Sequence, residues 1–176
     1  MVKNIILAGF GGQGVLFAGK VCAYGGLCDG KEVSWLPSYG PEMRGGTANC
    51  SVVLSERPIG SPLVTEPDLL IAMNQPSFDK FIDRVAPGGV VIMDSSLIEA
   101  KPDRADIKVF AVPATDLAEK NNLSGLSNMI LFGKAAKEFG LGSDEAIVAG
   151  LKKSIPAKKA NLLDANLRAV ELGKAQ

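Results

Sequence analysis

The sequence predicts an α/β fold in which a mostly parallel β-sheet lies between two layers of helices, followed by a helical C-terminal part. An apolar run at residues 4–8 meets a glycine-rich turn and then a long apolar segment. Short apolar runs then alternate with helical patterns as far as residue 122, beyond which only helical patterns follow. The 176 residues are 47% hydrophobic and 22% charged, so we predict that residues 1–176 form one globular domain.

The first predicted strand, residues 4–8, leads into a turn that contains four glycines. Three of them have the spacing of a dinucleotide-binding fingerprint, which predicts a Rossmann-like, three-layer α/β/α domain. A sharp strand-to-helix turn needs positive φ, and glycine lets an anion approach the first N–H groups of the helix. Tight packing of the helix on the sheet is the alternative role. The candidate ligand turn comprises Gly9, Gly11, Gly12, Gln13 and Gly14. We expect valine at Gly11 or Gly14 to impair stability or assembly.

The residues after the turn do not favour NAD as the ligand. Residues 15–24 are apolar on nearly all sides, which predicts a buried helix that ends at Gly25 and Gly26. The second strand is predicted at residues 33–36. An NAD site usually has an acidic residue at the end of this strand, but Glu32 precedes it. Any ligand of the turn is therefore predicted not to be NAD.

A loop rich in glycine and proline follows the second strand, beginning at Pro37. It carries an aromatic residue, an acid and an arginine, and such loops on a rigid sheet often bind ligands or partners. An exposed ion pair between Glu42 and Arg44 is the alternative. The residues that we predict at an interface or ligand path are Ser38, Tyr39, Gly40, Pro41, Glu42, Arg44, Gly45 and Gly46. Residues 47–54 form the next predicted strand, and because no helix precedes it, the strand can be antiparallel and the sheet mixed.

Three more strands are predicted at residues 68–73, 90–93 and 108–114. Asp94, at the end of the second of these, either forms a turn or lines a ligand crevice. Thr115 is predicted to cap a short helix after the third. Further predictions are a helix opened by Asn74 to Pro76, then helices over 129–139, 143–155 with Ser143 as its cap, and 162–172.

Composition excludes several function classes. Nineteen basic and nineteen acidic residues give no net charge, so neither nucleic-acid nor membrane binding is predicted. Histidine is absent, so we do not expect this chain to catalyse a reaction alone. Cys22, Cys28 and Cys50 lack clustered spacing, which argues against a metal site, an iron–sulfur cluster or a disulfide framework and favours a cytoplasmic protein. No signal peptide or membrane span is predicted.

The only local cluster of basic residues lies near Pro156 and comprises Lys152, Lys153, Lys158 and Lys159. It is either a solvated surface or a surface that meets an acidic partner or a phosphate-bearing ligand.

Two motifs in a fixed order carry a family resemblance. Residues 9–15 read GFGGQGV, and residues 38–46 read SYGPEMRGG about 25 residues later. The similarity continues through residues 67–75 and the Ile155 to Lys158 segment. The chain resembles the gamma subunit of the 2-oxoacid:ferredoxin oxidoreductases, which act on pyruvate, 2-oxoglutarate, branched-chain 2-oxoacids or indolepyruvate. The resemblance covers nearly the whole chain.

The resemblance implies a division of labour between subunits. Thiamine diphosphate, Mg²⁺ and iron–sulfur clusters would carry out oxidative decarboxylation to an acyl-CoA on other subunits, and none would bind tightly here. The implied partners are alpha and beta subunits, a ferredoxin-like delta subunit in some assemblies, and ferredoxin as electron acceptor. This chain would support assembly and help to shape the access region for coenzyme A and substrate. A free-standing nucleotide-binding protein and a purely structural subunit are the alternatives.

Overall fold

A computed structural model of the chain describes residues 1–38 and 47–176. Within these residues, six strands form one sheet in the order β2-β3-β1-β4-β5-β6. The strands are β1 (Val2–Gly9), β2 (Glu32–Ser38), β3 (Ala48–Ser55), β4 (Leu69–Ala72), β5 (Val90–Asp94) and β6 (Lys108–Val112). The helices are α1 (Val15–Cys28), α2 (Gln75–Phe81), α3 (Ala114–Lys120), α4 (Ser127–Phe139), α5 (Asp144–Ser154) and α6 (Leu163–Lys174). The predicted α/β architecture is confirmed.

The sheet is mixed, as the lack of a helix before β3 predicted. β1, β4, β5 and β6 are parallel, whereas β3 is antiparallel to both of its neighbours, β1 and β2. β2 continues two residues beyond the predicted strand, with Pro37 opposite Cys50 and Ser38 opposite Asn49. Our prediction that the loop begins at Pro37 is therefore wrong. The proline is tolerated because β2 is an edge strand, where a residue without an N–H group need not break a ladder of hydrogen bonds.

Two apolar layers cover the sheet, and the alternation of side chains along β1 shows why. Ile5 and Leu7 point into the layer that contains α1, α4, α5 and α6. Ile6 and Ala8 point into the opposite layer, which contains α2. Because successive side chains of a strand face opposite sides, one apolar strand supplies both cores. The structure is therefore the predicted three-layer arrangement.

Helix α1 does not end at Gly25 and Gly26, contrary to our prediction, but continues to Cys28. These glycines lie where α1 contacts its neighbours. A Cβ atom at Gly150 of α5 would lie 2.5 Å from the main-chain oxygen of Val21 and 3.0 Å from the nitrogen of Gly25. Gly25 and Gly150 therefore allow the backbones of α1 and α5 to approach closely, while Gly26 packs against the side chains of Leu54 and Val33. This packing overrides the helix-breaking tendency of the glycines in α1.

The C-terminal helices agree with the predictions. Ser143 caps α5, since its Oγ accepts a hydrogen bond from Ala146 N at 3.1 Å. Helix α2 is capped by the side chain of Asn74 and continues into a short 3₁₀ segment, Ile82–Arg84. A second 3₁₀ segment, Ala157–Leu162, precedes α6. In the described residues, no strand follows β6, so the last third of the chain is helical.

Candidate functional site

The glycine turn lies at the carboxyl end of β1, at the edge of the sheet where parallel α/β proteins bind ligands. Gly12 and Gly14 have φ values of 98° and 74°, a region that side-chain-bearing residues rarely adopt. A Cβ atom at Gly14 would also lie 2.4 Å from Asn128 Nδ2. Gly11 differs, because no atom of residues 1–38 and 47–176 lies within 4 Å of a Cβ placed there. These contacts favour a stability loss on substitution of Gly14, whereas for Gly11 an effect on assembly stays a prediction.

Gln13, predicted as part of the ligand turn, uses its side chain to hold the turn together. Its Oε1 accepts a hydrogen bond from Phe10 N, and its Nε2 donates one to the main-chain oxygen of Met73, both at 2.9 Å. Met73 directly follows β4, so Gln13 fastens the turn to the neighbouring strand. Because both the oxygen and the nitrogen of its amide form these hydrogen bonds, Gln13 serves as a structural clamp between the turn and β4.

Asn128, which our sequence analysis missed, forms a second clamp. It is 3% exposed, and its Nδ2 donates a hydrogen bond to the main-chain oxygen of Gly14 at 3.1 Å. Its Oδ1 accepts from Met129 N. An asparagine at the start of an otherwise apolar helix was the available signal, but its partner lies 114 residues away in the sequence. Only the tertiary fold brings the two together.

The start of α1 has the electrostatic character of an anion site. No side chain in the described residues caps this helix, and no acidic residue lies in its first turn. The free N–H groups and the helix dipole make this end positive, which stabilises a phosphate or carboxylate. The position of the turn therefore permits the anion-binding role, in addition to the packing role that Gln13 and Asn128 demonstrate.

The second predicted motif begins and ends beside the glycine turn. Ser38 is exposed at the end of β2 and pairs with Asn49, which in turn pairs with Ala8. At the other end of the motif, Thr47 precedes Ala48, which pairs with Gly9. Both ends of the connecting loop thus lie at the edge of the sheet that carries the turn. The other predicted residues, Tyr39, Gly40, Pro41, Glu42, Arg44, Gly45 and Gly46, lie outside the described residues.

The sheet order supports the prediction that NAD is not the ligand. In a dinucleotide-binding fold, the second strand lies next to the first and ends in the acidic residue that binds ribose. Here the antiparallel β3 separates β2 from β1. Glu32 pairs with Ser55, which pairs with Val2, so Glu32 lies at the opposite end of the sheet from the glycine turn.

Asp94 is a structural cap, which agrees with the turn-forming alternative. It is 1% exposed, and its Oδ1 accepts hydrogen bonds from Ser96 N and Ala114 N, both at 3.0 Å. Its Oδ2 accepts one from Thr115 Oγ1 at 2.6 Å. Our prediction that Thr115 caps α3 is wrong, because it lies within the helix and the carboxylate of Asp94 satisfies the free N–H groups of its first turn.

Two pockets flank the glycine turn and meet at Gly125. The first, about 320 Å³, we call the Phe10 pocket; it is lined by Phe10, Gly12, Gln13, Leu97, Thr115, Ala118, Glu119, Ser124, Gly125 and Ser127. The second, about 260 Å³, we call the Asn166 pocket; it is lined by Gly14, Phe17, Gly125, Leu126, Asn128, Ile155, Pro156, Lys159, Leu162 and Asn166. The second pocket includes part of the late segment, Ile155 to Lys158, that the sequence analysis singled out.

The three cysteines are free and do not form a cluster. Burial raises the pKa of the Cys22 and Cys50 thiols to about 12, whereas Cys28 is exposed. Three cysteines also fall short of the four thiolates that hold a typical iron–sulfur cluster. Throughout residues 1–38 and 47–176, no group of three or more potential ligands from Cys, Asp and Glu could hold a metal ion. The same residues contain no helix of the length and apolarity that a bilayer span requires.

Comparison with known proteins gives consistent matches. The family model described as pyruvate ferredoxin/flavodoxin oxidoreductase matches residues 4–176. The ketoisovalerate oxidoreductase subunit VorA of Methanothermobacter thermautotrophicus is 41% identical over 97% of this chain, which spans 35% of that protein. The 2-oxoglutarate synthase subunit KorC of Methanocaldococcus jannaschii is 36% identical over 93% of this chain and 90% of its own length. The crystal structure of a keto/oxoacid ferredoxin oxidoreductase gamma subunit from Geobacter sulfurreducens PCA has a TM-score of 0.84 at 27% identity, covering 97% of this chain and 95% of that one.

Proposed function

The chain belongs to the pyruvate ferredoxin/flavodoxin oxidoreductase family, and from this membership we propose that it is the gamma-type subunit of a multisubunit 2-oxoacid:ferredoxin oxidoreductase. The family resemblance predicted from the two motifs is confirmed. The first relative described above is about three times longer than the matched region, whereas KorC has nearly the same length. We therefore propose that residues 1–176 are one gamma-type unit, which occurs either as a subunit or as part of a longer chain. The free-standing nucleotide-binding alternative is not favoured.

The proposed reaction is oxidative decarboxylation of a 2-oxoacid to an acyl-CoA, with electrons passed to ferredoxin. Such a reaction needs an electron sink for the decarboxylation and clusters for one-electron transfer. The donor set of this chain does not fit a cluster, since a cubane needs four thiolates and the chain has only three cysteines, which do not lie together as a group of ligands in the described structure. We assign thiamine diphosphate, Mg²⁺ and the clusters to the alpha, beta and delta partners.

The observation that carries our proposal for this chain is the uncovered part of the glycine turn. No atom of the described residues lies within 4 Å of a Cβ placed at Gly11 or Gly12, and Phe10 is 48% exposed beside them. Leu97, which also lines the Phe10 pocket, is 40% exposed. Apolar side chains exposed around an accessible main chain are typical of surfaces that another molecule covers. We propose that this edge meets a partner subunit or borders the path of coenzyme A and substrate.

The loop that begins after Ser38 belongs to the same proposal. Its ends lie at this edge of the sheet, and we propose that Arg44 binds a carboxylate or phosphate there. Arginine suits this role because its planar guanidinium can form two parallel hydrogen bonds with such an anion. Lysine lacks that geometry, so an Arg44→Lys variant should lower activity or coenzyme A affinity in the assembled enzyme while the isolated chain keeps its fold.

Reconstitution tests the proposed function. Alpha and beta partners from the same organism would be mixed with this chain, and reduction of a viologen dye would be measured with a 2-oxoacid and coenzyme A. Activity should require the mixture, and this chain should co-purify with the partners. Full turnover without this chain would show that it is dispensable. Turnover by this chain alone would contradict the assignment of the cofactors to its partners.

A further inference from the structure

The Asn166 pocket has apolar walls and lies beside the start of α1. Phe17 comes from the first turn of that helix, and Leu126 precedes α4. Ile155, Pro156 and Leu162 complete the apolar lining, and Leu162 is 42% exposed. The volume of about 260 Å³ is just below the range of about 300–1,000 Å³ that holds drug-sized ligands. A compact ring system therefore fits, whereas a large cofactor does not.

Asn166 gives this apolar wall an unsatisfied acceptor. The residue is 2% exposed, and its Nδ2 donates a hydrogen bond to Leu162 O at 2.8 Å. Among the described residues, no group donates to its Oδ1. An unpaired buried acceptor costs about 1–3 kcal/mol. The other amide of the pocket, Asn128, is fully engaged with Gly14 and Met129. A ligand with an N–H or O–H group that reaches Asn166 would supply the missing donor.

Two sources of positive charge line the same pocket. Lys159 contributes to its lining, and in the described part of the chain it takes part in no ion pair. Gly14, at the uncapped positive end of α1, lines the pocket as well. Both features attract an anion, and Lys159 is exposed, so it can move to meet one. The neighbouring Lys158 is also exposed but does not line the pocket.

We propose that the Asn166 pocket binds a heteroaromatic anion. A flat ring would lie against Phe17 and Pro156, a ring or exocyclic N–H would donate to Asn166 Oδ1, and a phosphate or carboxylate would lie near Lys159. A nucleoside monophosphate and an indole-bearing acid share this chemistry. The inference does not depend on the proposed function, because it concerns binding by this chain without any partner.

Titration of the ¹⁵N-labelled full chain tests the proposal, with adenosine monophosphate and indole-3-acetate as probes and inorganic phosphate as the reference. At least one probe should shift the amide signals of Phe17, Gly125 and Leu126 at millimolar concentration, and the one that does so identifies the source of the ligand. Phosphate should leave these signals in place. If neither probe shifts them, or if phosphate alone reproduces the shifts, the proposal is wrong.

Three variants then locate the binding. Asn166→Leu removes the acceptor at similar volume and should weaken binding about fivefold. Lys159→Ala should weaken binding about two- to fivefold, as expected for an exposed charge. Lys158→Ala is the matched control and should leave affinity unchanged. If Asn166→Leu does not fold, Lys159→Ala against Lys158→Ala decides the question on exposed residues alone. Equal affinity in all folded variants would show that the probes bind elsewhere.

Discussion

Asn128 Nδ2 donates a hydrogen bond to the main-chain oxygen of Gly14 at 3.1 Å, which joins the starts of α4 and α1. This contact is possible only because residue 14 has no side chain. A Cβ atom there would lie 2.4 Å from Asn128 Nδ2 and 3.1 Å from its Cγ. The same glycine thus serves the backbone turn and the packing of two helices, and both functions are lost together on substitution.

Gly14→Ala should lower the free energy of unfolding by about 2–3 kcal/mol. A residue with a Cβ atom costs about 1–2 kcal/mol in the left-handed region, and the clash with Asn128 adds to this cost. Gly30→Ala is the matched control, because Gly30 has a similar φ of 72° but, in the described part of the chain, no atom within 4 Å of a Cβ placed there. Urea denaturation of both variants measures the difference. Equal losses would show that the contact with Asn128 adds nothing.

Asp94→Ala should lower the free energy of unfolding by about 3 kcal/mol or more. The substitution leaves Ser96 N, Ala114 N and Thr115 Oγ1 without the buried carboxylate that they share. Asp116→Ala is the control, since Asp116 is an exposed acid in the first turn of α3 and should cost only about 0.3–1 kcal/mol. Thermal unfolding followed by circular dichroism compares them. A similar melting temperature for the two variants would contradict the capping role.

The sequence predicted those elements that local pattern determines. Most strands were predicted from short, bounded apolar runs, and β3 from its alternation of small or polar with apolar residues. Ser143 was recognised as a cap because its Oγ and the N–H group that donates to it, on Ala146, lie three residues apart in the sequence. Features set by distant contacts were missed. Asn128 reaches Gly14 across 114 residues. The cap of α3 is Asp94 and not the predicted Thr115, because the fold brings the Asp94 carboxylate to Ala114 N, 20 residues away in the sequence. Within the candidate site, the sequence located the turn, including Gln13, but not Asn128 and not the role of either side chain as a clamp.

Gly133→Ala should be among the most damaging substitutions in the helical layer, with a loss of about 3 kcal/mol or more. A Cβ atom at Gly133 would lie 2.0 Å from the main-chain oxygen of Val170, where α4 contacts α6. Gly25→Ala is a control in α1, since its Cβ atom would lie 3.3 Å from Ala146 O. Alanine favours the helix over glycine by up to about 1 kcal/mol, and this gain in stability offsets the cost of the close contact with Ala146. Denaturant unfolding should separate the two variants clearly, and similar stabilities would show that α4 and α6 can move apart.

The buried thiols predict a loss of stability at alkaline pH. Burial raises the pKa of Cys22 and Cys50 to about 12, from the value of 9.0 that an unperturbed thiol has. Between pH 9 and 12, the unfolded chain releases these protons while the folded chain retains them. The unfolding free energy should therefore fall as pH rises, by about 1.4 kcal/mol per pH unit for each thiol.

Urea titrations at several pH values measure this slope, and Cys50→Ala should remove the contribution of one thiol. Cys28→Ala is the control, because that cysteine is exposed and should leave the slope unchanged. A steep slope that persists in Cys50→Ala would assign the pH dependence to other groups.

Gly11 separates the binding role of the glycine turn from its structural role. Nothing in the described structure lies within 4 Å of a Cβ atom at Gly11, and its φ is not in the left-handed region. Gly11→Ala should therefore change the unfolding free energy by no more than about 0.5 kcal/mol.

In the reconstituted enzyme, however, the added methyl group would keep a phosphate or a partner main chain from the turn. We expect kcat/KM for coenzyme A to fall about tenfold or more, and further in Gly11→Val, because small displacements of bound groups are costly. Gly60→Ala is the matched control, since a Cβ atom there also meets no described atom within 4 Å, but Gly60 lies on the segment after β3, at the opposite end of the sheet. Wild-type stability, assembly and activity in Gly11→Val would show that no ligand or partner approaches the turn, and the assignment of this edge to the access path would then be wrong.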